Sequence, residues 1–385
     1  MSESELDGIF STHFESISQM VNDRQKRTDY HWLFDSSDTF FTPDYFTIGT
    51  LGRNFFERGL NLLISNRFGR FGLSYRVVSR FVLLFYDLPM FAAVPHCEWL
   101  LKKLRSMPKQ MVDWSLVEFF LFMERWMTAL ISKEFMTFSS QKVALNEFVR
   151  PVLKQVDLHD VSDSAFAGAV HAACYANWFD VIVPDFEQRQ SASLQLVQQA
   201  LNQHESVRLD HKISTFINAH KQQIMYEFDN AGEVILDLIV ITKLILKGHK
   251  VIMVAKYGPI LNDVTVSDIS ELIQTYPEFS LLRDALTSGN LSIISANNFP
   301  MVGKYIPLAT KEYQIAAQAC DMFWLKGQAN FQTMPVANHG LFKQRIKYKK
   351  PIMLNFIVKA PIVRYCLDHS EIGHVTLGNP LITLI

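Results

Sequence analysis

The chain has 385 residues, with 37 Lys+Arg against 38 Asp+Glu and a formal net charge of -1. That balance disfavours a general nucleic-acid or anionic-membrane binder, which carries a basic excess. At 49% hydrophobic and 19% charged the chain can bury a large core, which excludes long-range disorder.

At about 150 residues per domain the length implies two domains, or one large domain with an appendage. Cys97, Cys174, Cys320 and Cys366 form no CxxC and no zinc spacing with histidine. Neither a disulfide framework nor a structural zinc is expected, and a reducing compartment fits. Met1 to Phe10 is acidic and polar, without a basic and apolar leader. The run Val234 to Leu246 is broken by Asp237 and Lys243 and is too short to span roughly 30 Å of hydrocarbon. These features predict a soluble, cytoplasmic protein with no membrane partner, and leave secretion by a signal-less route open.

In chain order, the part up to Ile213 reads as helices: Phe55–Ser65, Arg76–Leu88, Val112–Ile131, Gln141–Leu153, Ala165–Ala176 and Ala192–Asn202. Apolar residues recur there at helical spacing, as in Leu116, Phe119, Phe120, Phe122, Met123, Trp126 and Leu130. The abundance of Phe, 30 in the chain, predicts interhelical packing rather than an aromatic ligand cage. From about Lys221 short apolar runs alternate with helical stretches. Ile224–Asp229 precedes a helix Ala231–Lys247, and Lys250–Ala255 precedes a helix after Val264. Leu291–Ser295 precedes a helix around Thr310–Ala319, and Met322–Leu325 and Pro351–Ile357 follow. Five strands separated by helices predict an α/β class domain over 214–385, a three-layer α/β/α doubly wound, mostly parallel sheet, after a helical N-terminal domain over 1–213.

In that architecture ligands bind beyond the carboxyl ends of the strands, and the unusual residues stand there. The first strand ends in Asp229-Asn230-Ala231-Gly232-Glu233 and the second leads into Gly258-Pro259-Ile260-Leu261-Asn262-Asp263-Val264-Thr265. The third ends in Ser295-Ala296-Asn297-Asn298-Phe299-Pro300 and the fourth in Lys326-Gly327-Gln328-Ala329-Asn330-Phe331. Carboxylates and amides are hard oxygen donors that suit Mg²⁺ or Mn²⁺, and a lysine beside such an ion suits a phosphate. Each strand end also has an ordinary use: Asp-Asn after a strand commonly caps the next helix, as can Asn262-Asp263. Four in succession favour a common site. No GxGxxG follows a strand, and GxxxxGK[ST] and GxSxG are both missing from the sequence, which removes support for dinucleotide, P-loop and serine-hydrolase chemistry.

The runs Phe228–Leu238, Gly258–Thr265 and Lys326–Phe331 resemble the damage-control phosphatases, the family built on the metal-binding domain of unknown function 89 and also called acidic-residue methyltransferase-like. Ala176-Asn177-Trp178-Phe179-Asp180 resembles the glycine-asparagine-x-x-aspartate motif of that family. The resemblance implies one divalent ion (Mn²⁺, Mg²⁺, Co²⁺ or Ni²⁺) held by Asp229, Asn230 and Asp263. It implies catalytic roles for Asp229, Asp263 and Lys326, with Lys326 on the phosphate and the nucleophile either an aspartate of this cluster or water activated by the metal. Asn177, Asp180, Glu233, Asn262, Asn298 and Asn330 would line or support the substrate pocket. Departures are the missing Cys-x-x-Cys, Ala176 in place of glycine, and the Ala296-Asn297-Asn298 loop, which bear on the substrate rather than on the metal.

The implied activity is removal of phosphate from a small phosphorylated metabolite such as a sugar phosphate. An alternative is hydrolysis of an ADP-ribosyl or phosphoribosyl group, free or carried on a protein. That reading draws on Asn297, Asn298 and the arginines Arg53, Arg58, Arg67, Arg70, Arg76 and Arg80, which suit a nucleotide-like substrate; a solvated helical face is the plainer use of those arginines. Within them, Arg67–Gly72 is the candidate lid. A further alternative is a non-catalytic module that binds a protein partner through its helical half. A methyltransferase has no glycine-rich cofactor loop to support it.

Overall fold

The computed structural model describes residues 2–25, 99, 103, 118, 121–122, 125–126, 129, 138–180, 186–202, 207–219, 221–333, 350–359, 361–368 and 372–385. The chain forms two compact units. One comprises 1–29, 37–136 and 335–344, the other 30–36, 137–334 and 345–385. The expected helices Phe55–Ser65 and Arg76–Leu88, and the arginine-rich stretch with its lid, lie outside the described residues, as does most of Val112–Ile131.

In the first unit, α1 (Glu3–Gln25) buries Leu6, Phe10, Ile17 and Val21, a single stripe at helical spacing. Phe10 meets Trp99 and Phe122 edge-on at 5.9 and 5.0 Å, and Trp99 stacks on Trp126 at 6.2 Å. These aromatics pack against one another, as the abundance of Phe suggested.

The second unit begins with α2 (Ser139–Val149), α3 (Asp163–Tyr175), α4 (Phe186–Asn202) and α5 (His211–Ala219). The α/β series follows: β1 (Gln223–Glu227), α6 (Glu233–Leu246), β2 (Lys250–Ala255), α7 (Val266–Thr275), α8 (Ser280–Thr287) and β3 (Leu291–Ser295). Next come α9 (Lys311–Ala319), β4 (Met322–Lys326), α10 (Gln328–Gln332), β5 (Ile352–Ile357), α11 (Pro361–Asp368) and β6 (Pro380–Leu384). The sheet order is β3-β2-β1-β4-β5-β6. Pairings from β3 through β5 are parallel, and β6 runs antiparallel to β5.

Alternation along β1 separates the layers. Tyr226 faces α6, where its hydroxyl donates to Asp237 at 2.7 Å, and it stacks on Trp324, which in turn meets Phe166 of α3. Glu227 faces the other way and accepts from Tyr313 of α9 at 2.7 Å. The sheet therefore carries helices on both faces, as the α/β class requires. α6 is buried from Glu233 to Leu244, which explains why its sequence is apolar on every side.

One feature differs from the sequence expectation. A sixth strand closes the β5 edge; its first residue is Pro380, a position where a missing N–H is tolerated. The compact unit carrying the sheet takes in 30–36 and 137–213 as well as later residues, and within it α3 packs against α6, β5 and β6. Among the described residues no helix is long and apolar enough to cross a membrane.

His249, at the start of β2, is 2% exposed and its Nδ1 accepts from Gln222 N at 3.0 Å. Burial, helped by the charge of Lys247, holds its imidazole below the ordinary histidine range. A depressed folded value means that the unfolded chain takes up the proton first. The stability is present above about pH 6.5 and is lost as pH falls. Urea unfolding from about pH 7.5 to about pH 5.5 should therefore show falling stability in the wild type and a shallower fall in His249→Gln. Equal slopes in the two proteins would remove His249 from the acid response.

Candidate active site

The site gathers at the carboxyl ends of β1 and β2 and is held from below by α3 and α6. α3 runs on into a 3-10 turn, Ala176–Trp178, which delivers Asn177 to the cluster. Asn177 is fully buried; its Nδ2 donates to Asp229 Oδ2 and to Glu233 Oε2, each at 2.9 Å, and its Oδ1 accepts from Ile357 N at 3.1 Å. It brackets two carboxylates rather than lining open space.

Glu233 stands in the first turn of α6, where the helix dipole favours a carboxylate, and accepts from Asn230 N at 2.9 Å. Asn230 Nδ2 donates to Asp229 Oδ2 at 2.8 Å. The loop from β2 is pinned alongside: Val264 N donates to Asp229 O and Ala231 N to Asn262 O, and Asn230 forms an isolated bridge with Asp263. Asp229, Asn230 and Asp263 thus come together as the sequence motifs implied.

Gly327 makes the close approach possible. At φ +70, a Cβ there would meet the Asp229 carboxylate at 2.0 to 2.5 Å, so the turn after β4 lies directly against the end of β1 and admits no side chain.

Lys326, one residue earlier, is fully buried. Its ammonium donates to Ala173 O at 2.5 Å and pairs with Asp237 at 3.3 Å. Burial opposes its charge, but Asp237 and Glu233 hold the ammonium above its ordinary value. The structure thus commits this group to the layer between α3 and α6. Asn330 is likewise occupied, donating to Phe228 O and Lys326 O at 2.8 Å. Asn298 is exposed, while its neighbour Asn297 is bonded to Tyr305 and Leu308 backbone. Asp180 pairs with Lys359 at 3.1 Å.

Three residues at this site were not singled out in the sequence. Lys256 directly follows β2, Lys359 lies two residues beyond β5, and Asp237 is one helical turn after Glu233. Strand-end position identifies the lysines, and the i, i+4 relation on α6 identifies Asp237.

The cluster is electrically unbalanced. Burial first, and then the charge of Glu233, push Asp229 up to about 7. Burial raises Glu233 and Asp263 to about 7 against the pull of Lys326 and Lys256 respectively, and Asp237 to about 6 against Lys326. Asp180, Asp229, Glu233, Asp237 and Asp263 outnumber Lys256, Lys326 and Lys359 by two charges, and the nearby Lys142 is taken by Asp268. Asp263 Oδ2 is buried without a hydrogen bond, and so are both side-chain polar atoms of Asn262. Leu261, just before them, holds a left-handed φ of 44. Orphaned buried oxygens and two more carboxylates than ammoniums, their ionisation opposed by burial, are what a divalent cation satisfies. Among the described residues no three His, Cys, Asp or Glu side chains form a metal-binding group; two carboxylates and an amide are a set of another kind.

The sequence matches the damage-control phosphatase ARMT1-like domain over residues 14–364, and the chain belongs to that family. The damage-control phosphatase PH1575 of Pyrococcus horikoshii is 30% identical over 131 residues, 34% of this chain and 41% of that protein. The match therefore spans less than half of that curated relative. The crystal structure of a DUF89 family protein, PH1575 of the same organism, aligns with a TM-score of 0.51 at 21% identity, over 80% of this chain and 94% of the other. That likeness establishes the shared fold.

Two outcomes are expected. Asp263→Asn should melt higher than wild type in EDTA, since it removes a buried like charge, and should lose any stabilisation by Mn²⁺; retained Mn²⁺ stabilisation would take Asp263 out of the site. Gly327→Ala, which must displace Asp229, should also lose the Mn²⁺ shift, and a wild-type shift in that variant would show that Asp229 holds no cation.

Proposed function

We propose that this chain is a metal-dependent phosphatase that hydrolyses a phosphomonoester of a small metabolite, such as a sugar phosphate. The observation that carries the reading is the neighbouring pair Asn262 and Asp263, with three buried polar atoms lacking a hydrogen bond beside an excess of buried carboxylate. A cation and a phosphate arriving together supply what both lack. Membership of the damage-control phosphatase family supports the same chemistry.

Asp229, Asn230 and Asp263 would hold one divalent ion, and their hard oxygens suit Mn²⁺, Mg²⁺, Co²⁺ or Ni²⁺. When bound, such an ion supplies Lewis-acid stabilisation of charge on a phosphoryl oxygen. Asn262 Nδ2 donates to a phosphate oxygen. Lys359, already shared with Asp180, turns its ammonium to the phosphate. Lys326 acts from beneath, its charge favouring the ionised form of Glu233 against burial, while Glu233 orients Asn177 and the Asn230 amide. Water delivers its oxygen to phosphorus as the ester P–O bond breaks, and the departing alkoxide oxygen takes the proton. Of the residues behind the ADP-ribosyl reading, Asn297 is committed to backbone, Asn298 is exposed, and the arginine-rich stretch lies outside the described residues.

The test is hydrolysis of p-nitrophenyl phosphate and a panel of sugar phosphates with Mn²⁺. Wild type should turn over only with the ion. Asn262→Leu should lose about a hundredfold in kcat/KM while keeping its Mn²⁺-induced rise in melting temperature. Cation binding without turnover of any phosphomonoester would defeat the phosphatase reading, and no cation binding at all would favour the partner-binding module.

A further inference from the structure

Lys256 is 7% exposed and follows β2 directly. Its ammonium meets three acceptors from three different segments. It donates to Gly303 O at 2.9 Å, in the segment after β3, and to Asn330 Oδ1 at 3.3 Å, in α10 after β4. It stands 3.5 Å from Asp263 Oδ2, in the loop after β2, and that oxygen is buried without a hydrogen bond.

The segment around Gly303 is itself locked. Lys304 N donates to Thr333 Oγ1 at 3.0 Å, and the buried Lys304 ammonium pairs with Glu227 of β1 and donates to Asn330 O at 3.3 Å. Gly303 has φ +66, and a Cβ there would meet the Thr333 side chain at 2.5 and 2.6 Å and Ala329 O at 2.7 Å. The ammonium of Lys256 is therefore held on two sides by a rigid clamp, and its third side faces Asp263.

We propose that Lys256 is a positioning residue for Asp263: by bonding the loops after β3 and β4 it fixes an ammonium against the carboxylate, and so sets how tightly the site holds its divalent ion. This rests on the reading of Asp263 as a cation ligand. Groups that orient a ligating side chain commonly govern metal affinity, whereas a charge that is merely nearby acts in the opposite sense. Removing a positive charge beside a cation relieves repulsion and tightens binding. The direction of the effect therefore separates the two roles.

The experiment is calorimetric titration of the full-length protein with Mn²⁺, with circular dichroism to establish folding. Lys256→Met should bind Mn²⁺ about tenfold or more weakly, and Lys256→Arg should recover most of the loss. Gly303→Ala keeps every charge but pushes the segment off its seat, and should weaken Mn²⁺ in the same direction. Unchanged or tighter binding in a folded Lys256→Met overturns the proposal, and unchanged binding in Gly303→Ala overturns the tie to the loops. Should Lys256→Met not fold, Gly303→Ala decides between a positioning role and a bystander charge. A wild type that binds no Mn²⁺ fails at the reading of the site itself. That failure is distinct from a wild type that binds and a Lys256→Met that binds equally well.

Discussion

Five carboxylates drawn out of water against three ammoniums are the constraint on which the rest of this structure depends. Placing like charges together in a poorly solvated site is strongly unfavourable unless each oxygen finds a donor or counter-charge. Much of the unit can be read as an answer to that problem. Asn177 shares one amide between Asp229 and Glu233, the α6 N-terminus receives Glu233, and Lys326 sits beneath Glu233 and Asp237. The answer is incomplete at Asp237 Oδ2, Asn262 and Asp263 Oδ2, and at Asn262 and Asp263 the incompleteness lies beyond the strand ends, where a ligand can complete it.

Topology explains why the cluster forms where it does. The order β3-β2-β1-β4-β5-β6 sends the chain outward from β1 through β2 to β3, then back across to β4. The crevice between β1 and β4 is thus the point where the winding reverses, and loops diverge there to leave room for a ligand. Gly327, the first residue after β4, lies against Asp229, the second residue after β1. A parallel pair at the centre of a sheet covered on both faces is rigid, and Asp229 and Asp263, just beyond the strand ends, are pinned to it by Val264 N on Asp229 O and by the Asn230–Asp263 bridge.

Lysines divide the work by layer. Lys326 points among α3 and α6 and supports the acids from within the core. Lys256 and Lys359 stand at the strand ends, where their charges reach Asp229. Lys304 and Glu227 form a buried pair on the opposite face that anchors the segment after β3. Breaking such a buried pair by removing one partner typically costs about 3–5 kcal/mol, which makes the clamp around Gly303 a stiff support for Lys256.

Local sequence determined the elements and the motif positions. Alternating apolar runs specified β1 to β5, the all-round apolar stretch specified α6, and the strand-end rule marked Asp229, Asn230, Asn262 and Asp263, because these signals are carried by neighbours in the chain. Local pattern was silent on β6, whose short Pro380–Leu384 run becomes a strand only by pairing with β5. It placed α3 in a separate helical domain, since α3 reveals its packing on α6 and β5 only in the fold. Above all, the direction of each buried side chain was decided by tertiary structure. Lys326 and Lys256 are alike as lysines at the ends of apolar runs, Lys326 closing β4 and Lys256 directly following β2. The layer each side chain enters, and the partners waiting there from α3, α6 and the segment around Gly303, decide which ammonium supports the core and which one faces Asp263.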